Sequence, residues 1–459
     1  MLLERTEGLE ETDLITFARI ILLLLILVDD SVDHVKARKR RCMPPVPALR
    51  ATRSLSMASS ALPADLLLEI IARSDAATFM RSAAACKSLR RDVLSPAFLR
   101  RVCRAPDGIF PARLLGLLDT TFSLVHPATP AAASFAGGHL APFVSRVAAD
   151  LLKEYRPVTS RGGLVLLERR AIDSLWQPRS ERRRADELCV YNPTTGDRSF
   201  LPFPREIIRG ICHNCSYVLL TAADGITGRS FLLLATDMNG LMEPSGCIRL
   251  QTMPSNAGGQ WGPVTRVDNP SPEWSMLLDV YHKAGVVLGG VVHWLVYYGQ
   301  YILTYDVIGT ATTGKIKLSD DHRRLHASSC QLGSWPDGRL SLFGAEGFTV
   351  SVWVMSSGGG WARHAAVDTA AALSMRSLMV PQANRVLIPE LSYSTLLLSY
   401  GDHRSGVVLL WASPWASGGF GDFFVVDTGT KEICTITGEV AGTLYEMDVS
   451  SLLSAMKIY

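Results

Sequence analysis

The spacing of apolar residues changes along the chain and separates two kinds of predicted structure. In residues 61–104, apolar side chains recur three and four positions apart, which is typical of amphipathic helices. Pro63 stands at a first-turn position, and Leu66 and Ile70 follow it at helical spacing. From residue 159 onward, short apolar runs alternate with turn residues, which predicts strands. The pattern therefore predicts a small helical module followed by a large β-rich domain.

The helical module contains more apolar surface than so short a segment can bury. Phe79, Ala83 and Cys86 form the stripe of a second helix. Ser95 followed by Pro96 predicts the start of a third helix. A chain of about forty residues has little interior of its own. Its apolar faces therefore pack against the rest of the chain or bind a partner protein.

The β-rich part contains a repeated unit. A glycine leads into one strand, a second strand ends in Tyr-Asp or Val-Asp, and a turn rich in threonine and glycine follows. The spacing of the units is roughly 50 to 80 residues, longer than a propeller blade of ~45 residues, so insertions are expected. We expect the closing segment, residues 444–458, to be an amphipathic turn or helix against the first or last blade. The clearest strands are predicted at residues 164–167, 187–191, 291–295, 340–343, 350–355 and 423–426.

These patterns predict a multi-domain α+β protein. Its fold is a small N-terminal all-α module followed by a large antiparallel all-β domain that is β-propeller-like, with a two-sheet sandwich as the alternative. We assign residues 1–60 to a poorly ordered extension with a short apolar run and 61–104 to the helical module. Residues 105–158 are a partly helical connector, and 159–459 are the β domain.

The N-terminal extension raises the question of a membrane anchor. The apolar run at residues 14–28 is shorter than the ~20 residues that cross a bilayer, and acidic residues precede it. If it does insert, the basic cluster at 36–41 keeps the C-terminal part in the cytosol. The alternative interpretation is that the natural start is Met57, directly before the helical module.

Charge and cysteine content narrow the function classes. The 46 basic and 43 acidic residues leave a net charge of +3, which argues against a nucleic-acid partner. Nine cysteines at irregular spacing indicate reduced thiols and a location in the cytoplasm or nucleus.

No combination of residues predicts catalysis, a metal or a cofactor. Cys212 and Cys215 have the spacing of half a zinc site, but no second pair accompanies them. His322 and His326 lie four apart without the glutamate of a zinc protease motif. His293 belongs to the strand repeat, so we expect it in a blade core. The chain is therefore expected not to be an enzyme.

The helical module resembles the F-box. The residues that carry the resemblance are Leu62-Pro63-x-Asp65-Leu66-Leu67-x-Glu69-Ile70, then Ala85-Cys86-Lys87-Ser88-Leu89, then Ser95-Pro96-Ala97-Phe98. The F-box pattern has tryptophan where this chain has Leu89, and valine where it has Ala85. The β domain is similar to the C-terminal domains of plant F-box proteins through Gly289-Gly290-Val291-Val292-His293-Trp294-Leu295 and a following Tyr305-Asp306.

The resemblance implies a substrate receptor of a Skp–cullin–F-box ubiquitin ligase. The helices would bind the Skp adaptor, and through it a cullin, while the β domain would hold an unknown target protein. The alternatives are a membrane-tethered adaptor using residues 14–28 and a ligand-binding propeller without a ligase role. The module has eight basic and four acidic residues, a surplus that suits an acidic adaptor. The adaptor-binding residues implied are Leu62, Pro63, Leu66, Ile70, Cys86 and Leu89.

Overall fold

The computed structural model describes most of the chain between residues 63 and 448. Atomic contacts divide the chain into two compact units, one containing the N-terminal helices and the other comprising Arg113–Leu452. The described residues are 63–74, 79, 82, 87–104, 113–126, 129–170, 187–207, 215–238, 247–268, 285–296, 301–309, 311–319, 330–335, 337–346, 349–369, 393–400, 406–414, 422–436 and 443–448.

In the described part of the first unit, three short helices have defined bounds: α1 (Ala64–Ala72), α2 (Lys87–Val93) and α3 (Pro96–Arg104). Pro63 is the N-cap residue of α1, with φ −52° and a non-helical ψ of 141°, so it lies one position before the first turn in which the sequence analysis placed it. The Ser95 hydroxyl accepts from the Phe98 N–H at 3.4 Å, as the predicted start of α3 requires.

The second unit is a six-bladed β-propeller. Five blades are antiparallel sheets of four strands in sequence order, and the sixth has three strands, two from the start of the unit and an innermost one from its end. The innermost strands of neighbouring blades contact one another around the ring. Blade 6 consists of β1 (Arg113–Leu118), β2 (Phe122–His126) and β23 (Thr443–Asp448), in the order β2-β1-β23. Blade 1 consists of β3 (Tyr155–Arg161), β4 (Leu164–Arg169), β5 (Glu187–Tyr191) and β6 (Arg198–Pro202), and blade 2 of β7 (Cys215–Leu220), β8 (Leu232–Asp237), β9 (Cys247–Pro254) and β10 (Thr265–Asp268). Blade 3 consists of β11 (Val286–Leu288), β12 (Val291–Val296), β13 (Tyr301–Asp306) and β14 (Thr313–Lys317), blade 4 of β15 (Cys330–Ser334), β16 (Leu340–Glu346), β17 (Thr349–Met355) and β18 (Trp361–Asp368), and blade 5 of β19 (Tyr393–Tyr400), β20 (Val407–Pro414), β21 (Asp422–Asp427) and β22 (Ile433–Ile436).

Blade 6 joins the two ends of the propeller sequence. β23 pairs with β1 over the register Arg113↔Asp448 to Leu118↔Thr443. Residues 444–448, which the sequence analysis placed in an amphipathic turn or helix, are therefore a strand. β23 lies between blades 5 and 1, so its residues from Leu444 to Met447 are buried on both faces, and a continuous buried run is typical of such a strand. The rest of the predicted closing segment, residues 449–458, lies outside the described residues.

A helical segment lies beside the third strand of blade 6. It consists of α4 (Pro130–Phe135), a π-helical turn (Ala136–Leu140) and α5 (Ala141–Glu154), all of which contact β2. The helices fall in the predicted connector. The strands β1 and β2 fall in it too, so the β unit begins at Arg113, earlier than the boundary at 159 drawn from the sequence.

Apolar clusters fill the spaces between successive blades, which explains the buried runs in the sequence. Between blades 2 and 3 the cluster includes Val218, Leu234 and Trp294. Similar clusters join blade 1 to 2, 3 to 4, 4 to 5, and 5 to 6. Because both faces of a blade are covered, its middle strands have apolar residues at successive positions.

The repeated turn has a clear structural role. The side chains of Asn192, Asp306 and Asp427 each end the third strand of a blade and accept hydrogen bonds from the backbone two and three residues ahead. These contacts shape the hairpin into the fourth strand. The Tyr-Asp and Val-Asp endings of the repeat are therefore Asx turns, and this structural role is sufficient to explain why an aspartate stands there.

Candidate functional site

Three of the predicted adaptor-binding residues lie along α1 and directly before it, and we call them the outer stripe: Pro63, Leu66 and Ile70. The spacing of four residues places Leu66 and Ile70 on one side of the helix, and Pro63 is the residue that precedes its first turn. Pro63 is exposed, the Leu66 side chain is 51% exposed, and Ile70 is half-buried. Ile71 is fully buried and anchors a different side of α1. The helix thus exposes a large apolar side chain to solvent.

The buried side of the helical unit is built mainly from aromatic and branched residues. The Phe79 and Phe98 rings stack with their centroids 6.2 Å apart. Val93, Phe98 and Val102 are also buried. These contacts account for much of the apolar surface found in the sequence, but Leu66 is not among the buried residues.

An ion pair orients α1 against α3. The Glu69 carboxylate accepts from the Arg73 Nε at 2.9 Å and from the Arg101 guanidinium of α3. The hydrogen bond from Arg101, and then its positive charge, keep the pKa of Glu69 below its usual value. Sequence analysis missed this link between helices. The only local signal was Glu69 four residues before Arg73, which indicates a pair within one helix.

Of the other three predicted adaptor-binding residues, the structure describes one. Leu89 lies on α2 and is half-buried, near the exposed Lys87 and Ser88. Leu62 and Cys86 lie outside the described residues. The structure therefore places two of the six residues on one helix face, a third directly before that helix and a fourth on a second helix.

The propeller contains a buried ion pair that links three blades. Arg161, at the end of β3, donates from Nε to Asp224 Oδ2 at 2.8 Å and from Nη2 to the Val287 carbonyl at 3.0 Å. Asp224 lies after β7 in blade 2, and Val287 lies on β11 in blade 3. The Thr221 N–H donates to the same carboxylate at 2.8 Å. Both charges are satisfied by these partners, so the pair has a structural role.

The residues considered for catalysis or metal binding do not form a site in the described part of the chain. His293 is buried in β12, with its Nδ1 3.3 Å from the Val286 carbonyl, and burial lowers its pKa. This is the blade-core position expected from the sequence. The described residues contain no group of histidine, cysteine and carboxylate side chains that could hold a metal ion. Cys212, His322 and His326 lie outside them.

Two expectations about the cellular environment can be compared with the structure. Four described cysteines, Cys189, Cys247, Cys330 and Cys434, form no disulfide. Of the helices in the described ranges, none is both long enough and apolar enough to cross a membrane. The apolar run at residues 14–28 lies outside those ranges.

Comparisons with known proteins give one family match. A family model described as "Domain of unknown function (DUF7595)" matches residues 126–459. A search of curated proteins finds no match. Solved structures to which the chain is similar include a protein from Lactobacillus plantarum, with 11% identity, a TM-score of 0.35, and coverage of 71% of this chain and 81% of that one. A puromycin hydrolase mutant shows 13% identity and a TM-score of 0.31, and the match covers 65% of this chain but only half, 50%, of the hydrolase. An uncharacterised protein from Listeria monocytogenes shows 9% identity and a TM-score of 0.29, with coverage of 64% and 86%. At these TM-scores the similarities support no inference about function.

Proposed function

We propose that this chain, which belongs to the DUF7595 family, is a substrate receptor of a Skp–cullin–F-box ubiquitin ligase. The observation that carries the proposal is the outer stripe of α1, where Leu66 is 51% exposed within an F-box-like sequence. A β-propeller following the helices provides a second surface that is compatible with protein binding.

The exposed leucine favours a partner protein over a purely internal role for the helices. Burying a leucine side chain contributes about 1.5–3 kcal/mol relative to leaving it in water. Because Leu66 is 51% exposed, about half of that free energy is still available when a partner covers the side chain. A few anchors of this kind supply most of the binding energy of a protein interface. Under the F-box resemblance, Leu62, Cys86 and Leu89 bind the adaptor together with the outer stripe.

In this proposal the chain performs no chemical step. The helices bind the adaptor, the propeller binds the target, and ubiquitin is transferred by other members of the complex. Holding a target beside the ligase raises its effective concentration without a catalytic group from the receptor. A receptor of this kind works in the cytoplasm or nucleus, the location expected from the irregular cysteine spacing of the sequence.

Binding of purified Skp-type adaptor to the full chain tests the proposal. We expect Leu66→Ser to weaken binding at least ~10-fold, because the loss of a central apolar anchor costs about 2 kcal/mol. Ile308→Ser is the matched control: Ile308 is also an exposed apolar residue, at 43%, but it lies in the turn after β13. The Leu62→Ala and Pro63→Ala double variant should lose binding as well.

Calorimetry or surface plasmon resonance gives the affinity, and circular dichroism checks that each variant is folded. Equal adaptor affinity for wild type, Leu66→Ser and the double variant would contradict the proposal. A propeller that binds ligands without a ligase role would then be the better explanation.

A further inference from the structure

The outermost strand of blade 1, β6, differs from the other edge strands in its side chains. Arg198, Ser199 and Phe200 are all exposed, whereas Leu201 points into the cluster between blades 1 and 2. Phe200 is 50% exposed. The other two large apolar residues exposed in the described part of the chain are on a helix and in a turn. β6 is thus the one described edge strand that exposes a large apolar side chain.

The backbone of β6 is oriented for pairing on its outer side. The Trp261 indole N–H, from the segment between β9 and β10 in blade 2, donates to the Pro202 carbonyl at 2.7 Å. That carbonyl therefore points away from β5. In a strand, every second residue directs its N–H and C=O to the same side, so Phe200 and Arg198 direct theirs outward too. An edge with such groups is a template for another strand.

Positive charge accompanies the open edge. The Arg198 guanidinium donates to the Val147 carbonyl on α5, which holds it beside the strand. Arg146 lies 5.9 Å from the centroid of the Phe143 ring, and that ring lies beside Gly196 at the start of the same hairpin. Neither arginine has a carboxylate partner within the described ranges. A ligand at this edge would therefore meet the Arg198 cation, which has no described carboxylate paired with it, and Arg146 adds positive charge on the neighbouring helix.

We infer that β6 binds an extended segment of a partner polypeptide as an added antiparallel strand. An apolar residue of that segment lies opposite Phe200, and an acidic residue two positions further along lies opposite Arg198. Backbone hydrogen bonds to Phe200 and Arg198 supply affinity, and the two side-chain positions supply selectivity. This inference concerns the propeller alone and does not depend on the proposed adaptor.

Binding of a short peptide to the full chain tests the inference. The probe is a fluorescein-labelled peptide Thr-Ile-Thr-Glu-Thr, with both ends blocked, which ends before Pro202 because that carbonyl already accepts from Trp261. The readout is fluorescence anisotropy. We expect Phe200→Ser to weaken binding at least 10-fold. Arg198→Glu should weaken binding of this peptide similarly. The same variant should bind a second peptide, in which lysine replaces the glutamate, as tightly as wild type binds the first. Ile308→Ser, the matched control, should bind as wild type does.

A peptide that is N-methylated at the isoleucine separates strand pairing from a general apolar contact. It lacks the N–H that would donate to the Phe200 carbonyl, so we expect at least a 10-fold loss of affinity. The inference is overturned if wild type binds none of the peptides, or if neither N-methylation nor the charge exchange changes the affinity. It is also overturned if sedimentation velocity shows a dimer that Phe200→Ser abolishes, since the edge would then pair with a second copy of the chain.

Discussion

Two buried tyrosines provide a sensitive test of how the propeller ring is closed. Tyr445 on β23 and Tyr191 on β5 are both fully buried. The Tyr445 hydroxyl donates to the Gly163 carbonyl of blade 1 at 3.2 Å, across the joint between blades 6 and 1. The Tyr191 hydroxyl has no hydrogen-bond partner among the described residues. Replacing each by phenylalanine removes only a hydroxyl, so the two variants differ mainly in that one bond.

The expected changes in the free energy of unfolding have opposite signs. Tyr445→Phe loses a hydrogen bond with a net worth of about 1 kcal/mol and leaves the Gly163 carbonyl without this donor. Tyr191→Phe removes a buried hydroxyl that already lacks a partner, whose desolvation costs about 1–3 kcal/mol. We therefore expect Tyr445→Phe to destabilise the propeller by about 1 kcal/mol and Tyr191→Phe to stabilise it by a similar amount.

Urea unfolding of the full chain, followed by tryptophan fluorescence, measures this difference. The m-values should stay equal to that of wild type, because neither change alters the surface exposed on unfolding. The reasoning fails if Tyr191→Phe destabilises the protein as much as Tyr445→Phe does. It also fails if Tyr445→Phe has no effect, since the bond across the joint would then contribute nothing.

Three further outcomes follow from burial and closure. Burial raises the pKa of Tyr191 to about 12, so the tyrosine ionises first in the unfolded chain, and stability falls as pH rises from ~10 to about 12; urea midpoints should fall over this range, less steeply in Tyr191→Phe. Burial lowers the pKa of His293, so stability should fall as pH drops below ~6.5; His293→Gln should reduce this fall. Truncation after Thr430 removes β22 and β23, so the cooperative thermal transition seen by circular dichroism should disappear; a transition close to that of the intact protein would mean that closure does not need β23.

The middle strands of the blades could be predicted from the sequence. The predicted segments 164–167, 291–295, 340–343 and 350–355 all fall within observed strands. Each is covered by neighbouring blades, so its apolar residues run together and a turn marks its start. The outermost strands are less distinctive. β10 (Thr265–Asp268) has mostly exposed polar residues, since only one of its edges is paired.

Blade 6 could not be predicted because its pairing is not local. Residues 113–118 pair with residues 443–448, so no pattern within either segment identifies the other. The side-chain hydrogen bonds between β23 and blade 1 are equally distant in sequence. They include Ser160 Oγ to the Leu444 carbonyl at 2.6 Å and Thr443 Oγ1 to the Pro157 carbonyl at 3.0 Å. Only the folded ring brings these groups together.

One of the two candidate surfaces is likewise defined by local sequence, and the other by contacts between distant residues. The outer stripe of α1 follows a local motif, so its residues could be named from the sequence. The edge of β6 depends on Trp261 from blade 2 and on Val147 from α5. Phe200 by itself looks like one more strand residue, and its exposure becomes evident only when the neighbouring blade and helix are in place.

The repeated and the varied ends of the propeller suggest where a folded target would bind. At one end, three of the five hairpins between third and fourth strands are closed by the same side-chain contacts, from Asn192, Asp306 and Asp427. At the other end, the connections between second and third strands range from residues 347–348 in blade 4 to residues 170–186 in blade 1. A turn that must close a hairpin is restricted to a few residue types, whereas a longer connection can vary without unfolding the blade. In the proposed receptor, we therefore expect selectivity for a folded target at the varied end, while the edge of β6 binds an extended segment.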